Sequence, residues 1–353
     1  MSKVPSTFAD QVVTWQRRHG RHDLPWQNTR DPYCVWLSEI MLQQTQVSTV
    51  LDYFPRFLSR FPTVAVLAAG DSDEVFGLWS GLGYYSRARN LHACAKDVVA
   101  LHAGVFPRTA EVLQTLPGIG RSTAAAIASL CFEERVAILD GNVRRVLTRL
   151  LGFDADLSLS VNEKALWVHA NRLVPLLPQD MPAYTQGVMD LGATLCVRRK
   201  PLCATCPLIS DCVAKREGRP EHYPVKTRKL KRSAEAIWLL QAYNEQGDVW
   251  LAQRPEKGVW AKLYCLPAFE SSEALALTLP EGDADQAKAS PAFIHVLTHK
   301  DLHLHPMLLR VESAAWPQRD GRWVSPADWP QLGLPAPVRK LLEQMSSPSL
   351  FGL

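Results

Sequence analysis

No apolar run in this 353-residue chain reaches the roughly 18 residues that a spanning helix needs. The longest, around Ala124 to Phe132, falls well short. Met1 to Asp10 has no basic segment followed by an apolar run, so no secretory signal is expected. No segment repeats. With only 19 Gly and 25 Pro in a chain that is 47% hydrophobic and 21% charged, collagen-like, low-complexity and wholly disordered classes are excluded. What remains is a soluble, intracellular protein, long enough for about two domains at roughly 150 residues each.

The net charge of +4 hides an asymmetry. Residues 1–232 carry 29 Lys and Arg against 21 Asp and Glu, whereas residues 233–353 carry 10 against 14. A basic first part joined to a mildly acidic second part suits a polyanion-binding module with an attached specificity module.

Cysteine is sparse but unevenly placed. Of eight, Cys34, Cys94, Cys131 and Cys265 stand singly and read as small buried hydrophobes. The other four, Cys196, Cys203, Cys206 and Cys212, crowd into seventeen residues with the spacing C-x6-C-x2-C-x5-C. In an intracellular chain such crowding reads as a metal site before disulfides. A zinc ribbon would place two C-x2-C pairs around a longer insert. One C-x2-C flanked by a cysteine on each side better suits four thiolates on the corners of one [4Fe–4S] cube. Arg198, Arg199 and Lys200 lie in the first loop, where they would offset thiolate charge or face phosphates.

From Phe8 to about Ala214, apolar residues recur at spacings of three and four between Pro and Gly breaks, a helical pattern. Beyond the basic run Lys226 to Arg232 the period changes. Ala236 to Tyr243, Val249 to Gln253, Phe293 to Thr298 and Leu304 to Val311 read as strands, with a closing helix near Pro337 to Met345. The expected organisation is a mostly α domain over 1–225, a linker over 226–232, an α+β domain over 233–345 and a tail over 346–353.

Leu116-Pro117-Gly118-Ile119-Gly120-Arg121-Ser122-Thr123 opens an Ala-rich helix. Gly118 and Gly120 permit a tight turn that leaves backbone N–H groups free at the helix start, a clamp for DNA phosphates. The segment resembles a helix-hairpin-helix motif. Twenty residues past Gly120 stands Asp140, in Leu139-Asp140-Gly141-Asn142. An Asp there also suits the N-cap of the following helix, and the two roles are compatible. Hairpin, Asp and four-cysteine cluster together resemble the iron–sulfur branch of the helix-hairpin-helix DNA glycosylases. That resemblance implies that Asp140 stabilises positive charge developing at the deoxyribose C1′. Endonuclease III-like members carry a nucleophilic Lys shortly after the hairpin glycines. Here the position is Ser122, which points to water as nucleophile and a monofunctional enzyme.

Glu39 lies in Trp36-Leu37-Ser38-Glu39-Ile40-Met41-Leu42-Gln43-Gln44-Thr45-Gln46, with apolar Val35 and Leu42 at helical spacing. A carboxyl desolvated there would hold a proton near neutral pH; the bland alternative is a surface Glu in an ion pair. This run, with Leu24-Pro25-Trp26, Gly81-Leu82-Gly83-Tyr84-Tyr85-Ser86-Arg87-Ala88-Arg89-Asn90-Leu91 and Met189-Asp190-Leu191-Gly192-Ala193, closely resembles the adenine DNA glycosylase (MutY) family over essentially the whole chain.

The resemblance implies that Glu39 protonates adenine N7 and that Asp140 stabilises the oxocarbenium-like species before water attacks, a division of labour like that of glycoside hydrolysis. The adenine must first leave the stack. Gln44 and Tyr84 match wedge residues, Gln186 an adenine-contacting position and Trp26 the pocket wall; Tyr84 and Trp26 also fit as ordinary core aromatics. Leu42, Thr45, Ser122 and Asn142 complete the implied base pocket, and Pro117 to Gly120 with Arg198 and Arg199 the implied backbone contacts. Some members have Lys at Arg144; Arg cannot form a Schiff base at neutral pH.

The second domain resembles the family's MutT-like domain, with Trp260 to Pro267 matching its early strand. An Arg-Glu-x-x-Glu-Glu run is missing after it, so it should bind rather than hydrolyse. Leu297-Thr298-His299 stands where the family has its Phe-Ser-His 8-oxoguanine reader. His295, His299, His303 and His305 alternate without nearby carboxylates apart from Asp301, which favours solvated or packed rings over a metal site. The implied enzyme is a cytoplasmic, nucleoid-associated bacterial monomer that removes adenine opposite 8-oxoguanine or guanine in double-stranded DNA and touches no membrane. Three rivals are an endonuclease III-like glycosylase/lyase, a thymine mismatch glycosylase and a non-catalytic DNA-binding module.

Overall fold

The computed structural model describes residues 7–227, 231–279, 283–312 and 320–345. Part of the expected linker (228–230) and the tail 346–353 lie outside the described residues. The chain divides into two compact units. One comprises residues 1–69 and 90–229, the other residues 70–89 and 230–353.

The first unit is helical. Its principal helices are Phe8–His19, Pro32–Leu42, Val47–Arg60, Arg121–Phe132, Gly141–Leu151, Ser160–Arg172 and Met181–Asp190. Several begin on side-chain caps: Thr7 and Asp10 form a reciprocal capping box, and Asp31 and Asp140 each accept a first-turn amide. Val12, Ala126, Ile138, Val146, Leu166, Met181 and Val188 share one buried core. The helix Met181–Asp190 runs on into a π-helical turn, Leu191–Leu195, which delivers the first clustered cysteine, Cys196. Among the described residues no helix is long and apolar enough to cross a membrane.

The second unit is built on a mixed sheet of strands β1 (Ser233–Tyr243), β2 (Val249–Gln253), β3 (Tyr264–Cys265), β4 (Ala268–Phe269), β5 (Lys288–Ala289), β6 (Phe293–Val296), β7 (Lys300–Arg310) and β8 (Arg322–Val324). The long strands β1 and β7 pair in parallel, from Ser233 opposite Lys300 to Tyr243 opposite Arg310, while the other pairings are antiparallel. Period-two alternation sends Ile237, Leu239, Leu302 and Leu304 to one face, against Val338 and Leu342 of the closing helix Ala336–Met345. Leu240, Ala242 and Leu309 go to the other, against Leu275. Both faces are therefore covered.

The expected strand over Trp260 to Pro267 is corrected. Only Tyr264–Cys265 is strand, because Trp260 and Lys262 adopt left-handed φ of 59° and 61° and turn the chain before it.

Residues 70–89 group with the second unit although they lie far from it in sequence. The helix Ser72–Trp79 holds Gly77 against the loop at Gln331, and a Cβ on Gly77 would stand 2.0 Å from the Gln331 carbonyl oxygen. Tyr264 Oη donates to Asp73 at 3.1 Å, Arg339 Nε to Ser80 Oγ at 3.0 Å and Tyr85 Oη to Leu334 O at 2.8 Å. Backbone cannot yield as a side-chain tip can, so Gly77→Ala should destabilise the second unit by about 1–3 kcal/mol. Thermal unfolding with hydrogen exchange in residues 231–345 measures this; unchanged protection would mean the segment is not held there.

Candidate active site

Asp140 ends an extended segment and starts the helix Gly141–Leu151, its carboxylate accepting the Val143 amide at 2.7 Å. The segment before it is tied down by Ser122, whose Oγ accepts the Leu139 amide at 3.1 Å. Ser122 therefore uses its hydroxyl to place Asp140's strand-like approach, a job that a Lys ammonium, which has no acceptor, could not do.

Glu39 projects from the helix Pro32–Leu42 into the same cavity of about 520 Å³, which Asp140 also lines. Among the described residues no ion pair or hydrogen bond holds its carboxyl, so the surface ion-pair alternative does not apply. Trp26, Leu42, Gln44, Thr45, Ser122, Asn142 and Gln186 line the cavity too. Trp26 is both wall and core, buried and edge-on to Phe54 at 5.4 Å. Gln44 sits in left-handed backbone, φ 58°, just past the helix end.

Burial raises the Glu39 pKa to about 7, and Asp140's negative charge adds to the rise. Burial raises Asp140 as well, but the amides of Val143 and Asn142 and the guanidinium groups of Arg145 and Arg144 pull it back. Two carboxyls in one desolvated space cannot both be ionised cheaply, and the groups that oppose the rise act on Asp140, whose anion is the better supported of the two.

Arg21 and Asp190 were not anticipated as site residues. Asp190 is fully buried, pairs with Arg21 Nη2 at 2.6 Å, and accepts Gln186 Nε2 at 2.9 Å. It thereby orients the Gln186 amide in the cavity wall. The four-residue spacing of Gln186 and Asp190 on one helix was a legible signal; Arg21, 169 residues from Asp190, left none.

At the hairpin, Gly118 has φ +75°, and a Cβ there would stand 2.6 Å from Asn90 Cβ. Gly120 is the N-cap of Arg121–Phe132 without a side-chain cap, leaving first-turn amides open to an anion. Pro117 and the buried Ile119 complete the turn.

Cys196, Cys203, Cys206 and Cys212 line one small cavity with Arg149. Arg149 is 2% exposed, and its guanidinium donates to Cys196 Sγ at 3.3 Å and to the carbonyls of Val197 and Arg198 at 2.8 and 3.1 Å. No group of His, Cys, Asp or Glu among the described residues is drawn together tightly enough for a single ion. Four thiols around one apolar space with a buried cation fit a wider, anionic group. Arg198 and Arg199 are exposed on the loop.

In the second unit, Tyr84 is 44% exposed with φ 48°, so it is not a core aromatic. Its hydroxyl hydrogen-bonds Thr298 Oγ1 at 2.8 Å. Arg87 and Trp79 hold its loop, donating to the Gly83 carbonyl at 3.2 and 3.1 Å. Thr298 and His299 are exposed in the turn between β6 and β7, whereas Leu297 packs on the core. His305 stacks on Trp238 at 4.4 Å, and His295 lies 6.3 Å from the Trp260 ring.

Residues 37–171 match the family model of the HhH-GPD superfamily of base excision DNA repair proteins, and residues 238–344 match the NUDIX domain. An adenine DNA glycosylase of Buchnera aphidicola (from Acyrthosiphon pisum) is 37% identical over 95% of this chain and 97% of its own. The adenine DNA glycosylase of Mus musculus is 45% identical over 59% of this chain and 42% of its own. Among solved structures, a thermostable thymine-DNA glycosylase is similar with a TM-score of 0.54 and 30% identity, covering 60% of this chain and 95% of that one. A full-length match at that identity, on a helical unit with two carboxyls in one cavity and a NUDIX sheet beside it in sequence, means that this chain belongs to the adenine DNA glycosylase family of base excision repair enzymes.

Proposed function

We propose that the chain hydrolyses the N-glycosidic bond of adenine mispaired with 8-oxoguanine, or with guanine, in double-stranded DNA. The observation that carries this is the meeting of Glu39 and Asp140 in one cavity, with amide and guanidinium groups supporting the Asp140 anion and none of these acting on Glu39. Neutral Glu39 donates its proton to adenine N7. The C1′–N9 bond then breaks with its electron pair leaving on the base. Asp140, still ionised, faces the positive charge at C1′, and water adds there to give an abasic site and free adenine. Gln186, steered by Asp190, and Trp26 hold the extruded base; Leu42, Gln44, Thr45 and Asn142 complete the cavity around it. Ser122 has no amine to attack C1′ and is already engaged by Leu139, which supports strand-intact hydrolysis over a lyase.

The open amides after Gly120, with exposed Arg198 and Arg199, would grip phosphates. The Tyr84–Thr298 pair with His299 is the candidate reader of the opposite 8-oxoguanine, with Leu297 turned to the core instead of wedging. The NUDIX-like unit would bind without hydrolysing. The enzyme would act as a monomer on the DNA of the bacterial cytoplasm.

The family is generally associated with an iron–sulfur cluster, and Cys196, Cys203, Cys206 and Cys212 would hold one [4Fe–4S] cube. Bound, it would cross-link the loop rather than enter the chemistry. Arg149 offsets its thiolate charge and satisfies the loop carbonyls. Arg149→Met should therefore lower iron per chain and the melting temperature together; full iron with lost stability would confine Arg149 to packing.

A single-turnover assay on a duplex with one A:8-oxoguanine pair, read with and without alkali, tests the chemistry. Cleavage should need alkali, and Glu39→Gln should lose about 10²–10⁴-fold in rate. Asp140→Asn, which keeps an acceptor for Val143, should lose activity while retaining stability. Because Glu39 must be protonated and titrates at about 7, the rate should fall as pH rises through 7 and approach tenfold per unit above it. A strand nicked without alkali, or excision retained in Glu39→Gln, would overturn the scheme.

A further inference from the structure

Alternation along β1 turns Ile237, Leu239 and then residue 241 to the face that the closing helix Ala336–Met345 covers. The third of these is not apolar. It is Gln241, 4% exposed and paired in register with Leu308 of β7. Among the described residues its side-chain amide makes no hydrogen bond. It lines instead a cavity of about 480 Å³ whose walls include Phe293, Leu308, Leu341 and Met345. Lys340 lines the same cavity from the helix, exposed and without an ion pair among the described residues. This cavity shares no lining residue with the one that holds Glu39 or with the one beside Tyr84 and Thr298.

A few polar groups in an apolar wall are how a pocket fixes the orientation of what it binds. A buried amide without partners is costly until a ligand supplies them, and Gln241 offers an acceptor oxygen beside an NH₂ donor. Its complement is an N–H donor next to an acceptor. The apolar walls, with the Phe293 ring and the Met345 thioether, suit a large apolar or aromatic group. Lys340 suits an anion. An N–H and a carboxylate flanking one apolar side chain occur together in the last residue of a polypeptide. We infer that this cavity captures the C-terminal end of a partner protein whose last side chain is aromatic or large and apolar. Gln241 Oε1 accepts that residue's N–H, Nε2 donates to its carboxylate, and Lys340 faces the same charge.

The probe is the peptide acetyl-Ala-Ala-Phe with a free carboxylate, titrated calorimetrically into the full chain. Its comparisons are the same peptide amidated at its C-terminus and N-acetyl-L-phenylalanine. The free-acid peptide should bind saturably and more tightly than either. Gln241→Leu removes an unpaired amide, so it should raise the melting temperature while weakening the peptide about tenfold. Lys340→Gln should lose about threefold for the free acid and nothing for the amidated peptide, the effect of an exposed pair. If Gln241→Leu does not fold, Lys340→Gln carries the comparison. Equal affinity for N-acetyl-L-phenylalanine would assign a free acylated amino acid and overturn the partner. Binding that appears only when the chain is shortened after Met345 would give the cavity to residues 346–353, which also overturns it. No saturable binding, or peptide affinities unchanged in both variants, would remove the site altogether.

Discussion

Everything at the first unit's cavity depends on one electrostatic constraint: two carboxyls share a desolvated space, and ionising both is costly. What breaks the symmetry is backbone. Asp140 is a helix N-cap that accepts the Val143 amide at 2.7 Å and stands near two guanidinium groups, whereas Glu39 sits mid-helix with no hydrogen-bond donor or cation at its carboxyl among the described residues. The same capping bond that starts the helix thus helps to support the Asp140 anion over that of Glu39. The N-cap role is observed, and the bond that makes it leaves the Asp140 carboxylate lining the cavity, so the proposed role asks for no second conformation.

That arrangement is only as good as the segment that delivers Asp140. Ser122 fixes it from the hairpin side, through the Leu139 amide. From the other side Arg145 donates to Gly192 O and Cys196 O, both at 2.6 Å, and to Asn142 Oδ1 at 2.8 Å. Arg149 does the equivalent one turn on, spending its buried charge on loop carbonyls and a thiol. Long side chains from one helix therefore hold an irregular loop whose own carbonyls would otherwise go unpaired.

The helices and the long strands were legible because their signals are local: periods of 3.6 and 2, capping residues, and Pro or Gly breaks. β2 coincides with the expected Val249 to Gln253, and the closing helix begins one residue early, at Ala336. Glu39, Asp140 and the cysteine spacing were legible because each sits in a compact motif. Arg21 was not, since its meaning comes from Asp190, a partner that only the fold supplies. Nor was the assignment of residues 70–89 to the second unit, which rests on a glycine-to-backbone approach at Gln331. The short strand at Tyr264–Cys265 was over-read for the opposite reason. An apolar run of strand-like residues was broken by positive φ at Trp260 and Lys262, positions where composition favours no such turn.

Charge around the first cavity is sorted by partners rather than by count. Arg21 is held by Asp190 and Arg144 by Glu163, yet Arg144 and Arg145 still oppose the rise in the Asp140 pKa, whereas the one charge that acts on Glu39 adds to its rise. In a chain with a net charge of only +4, what a carboxyl in a cavity feels is therefore set not by the number of charged residues around it but by where each of them is held.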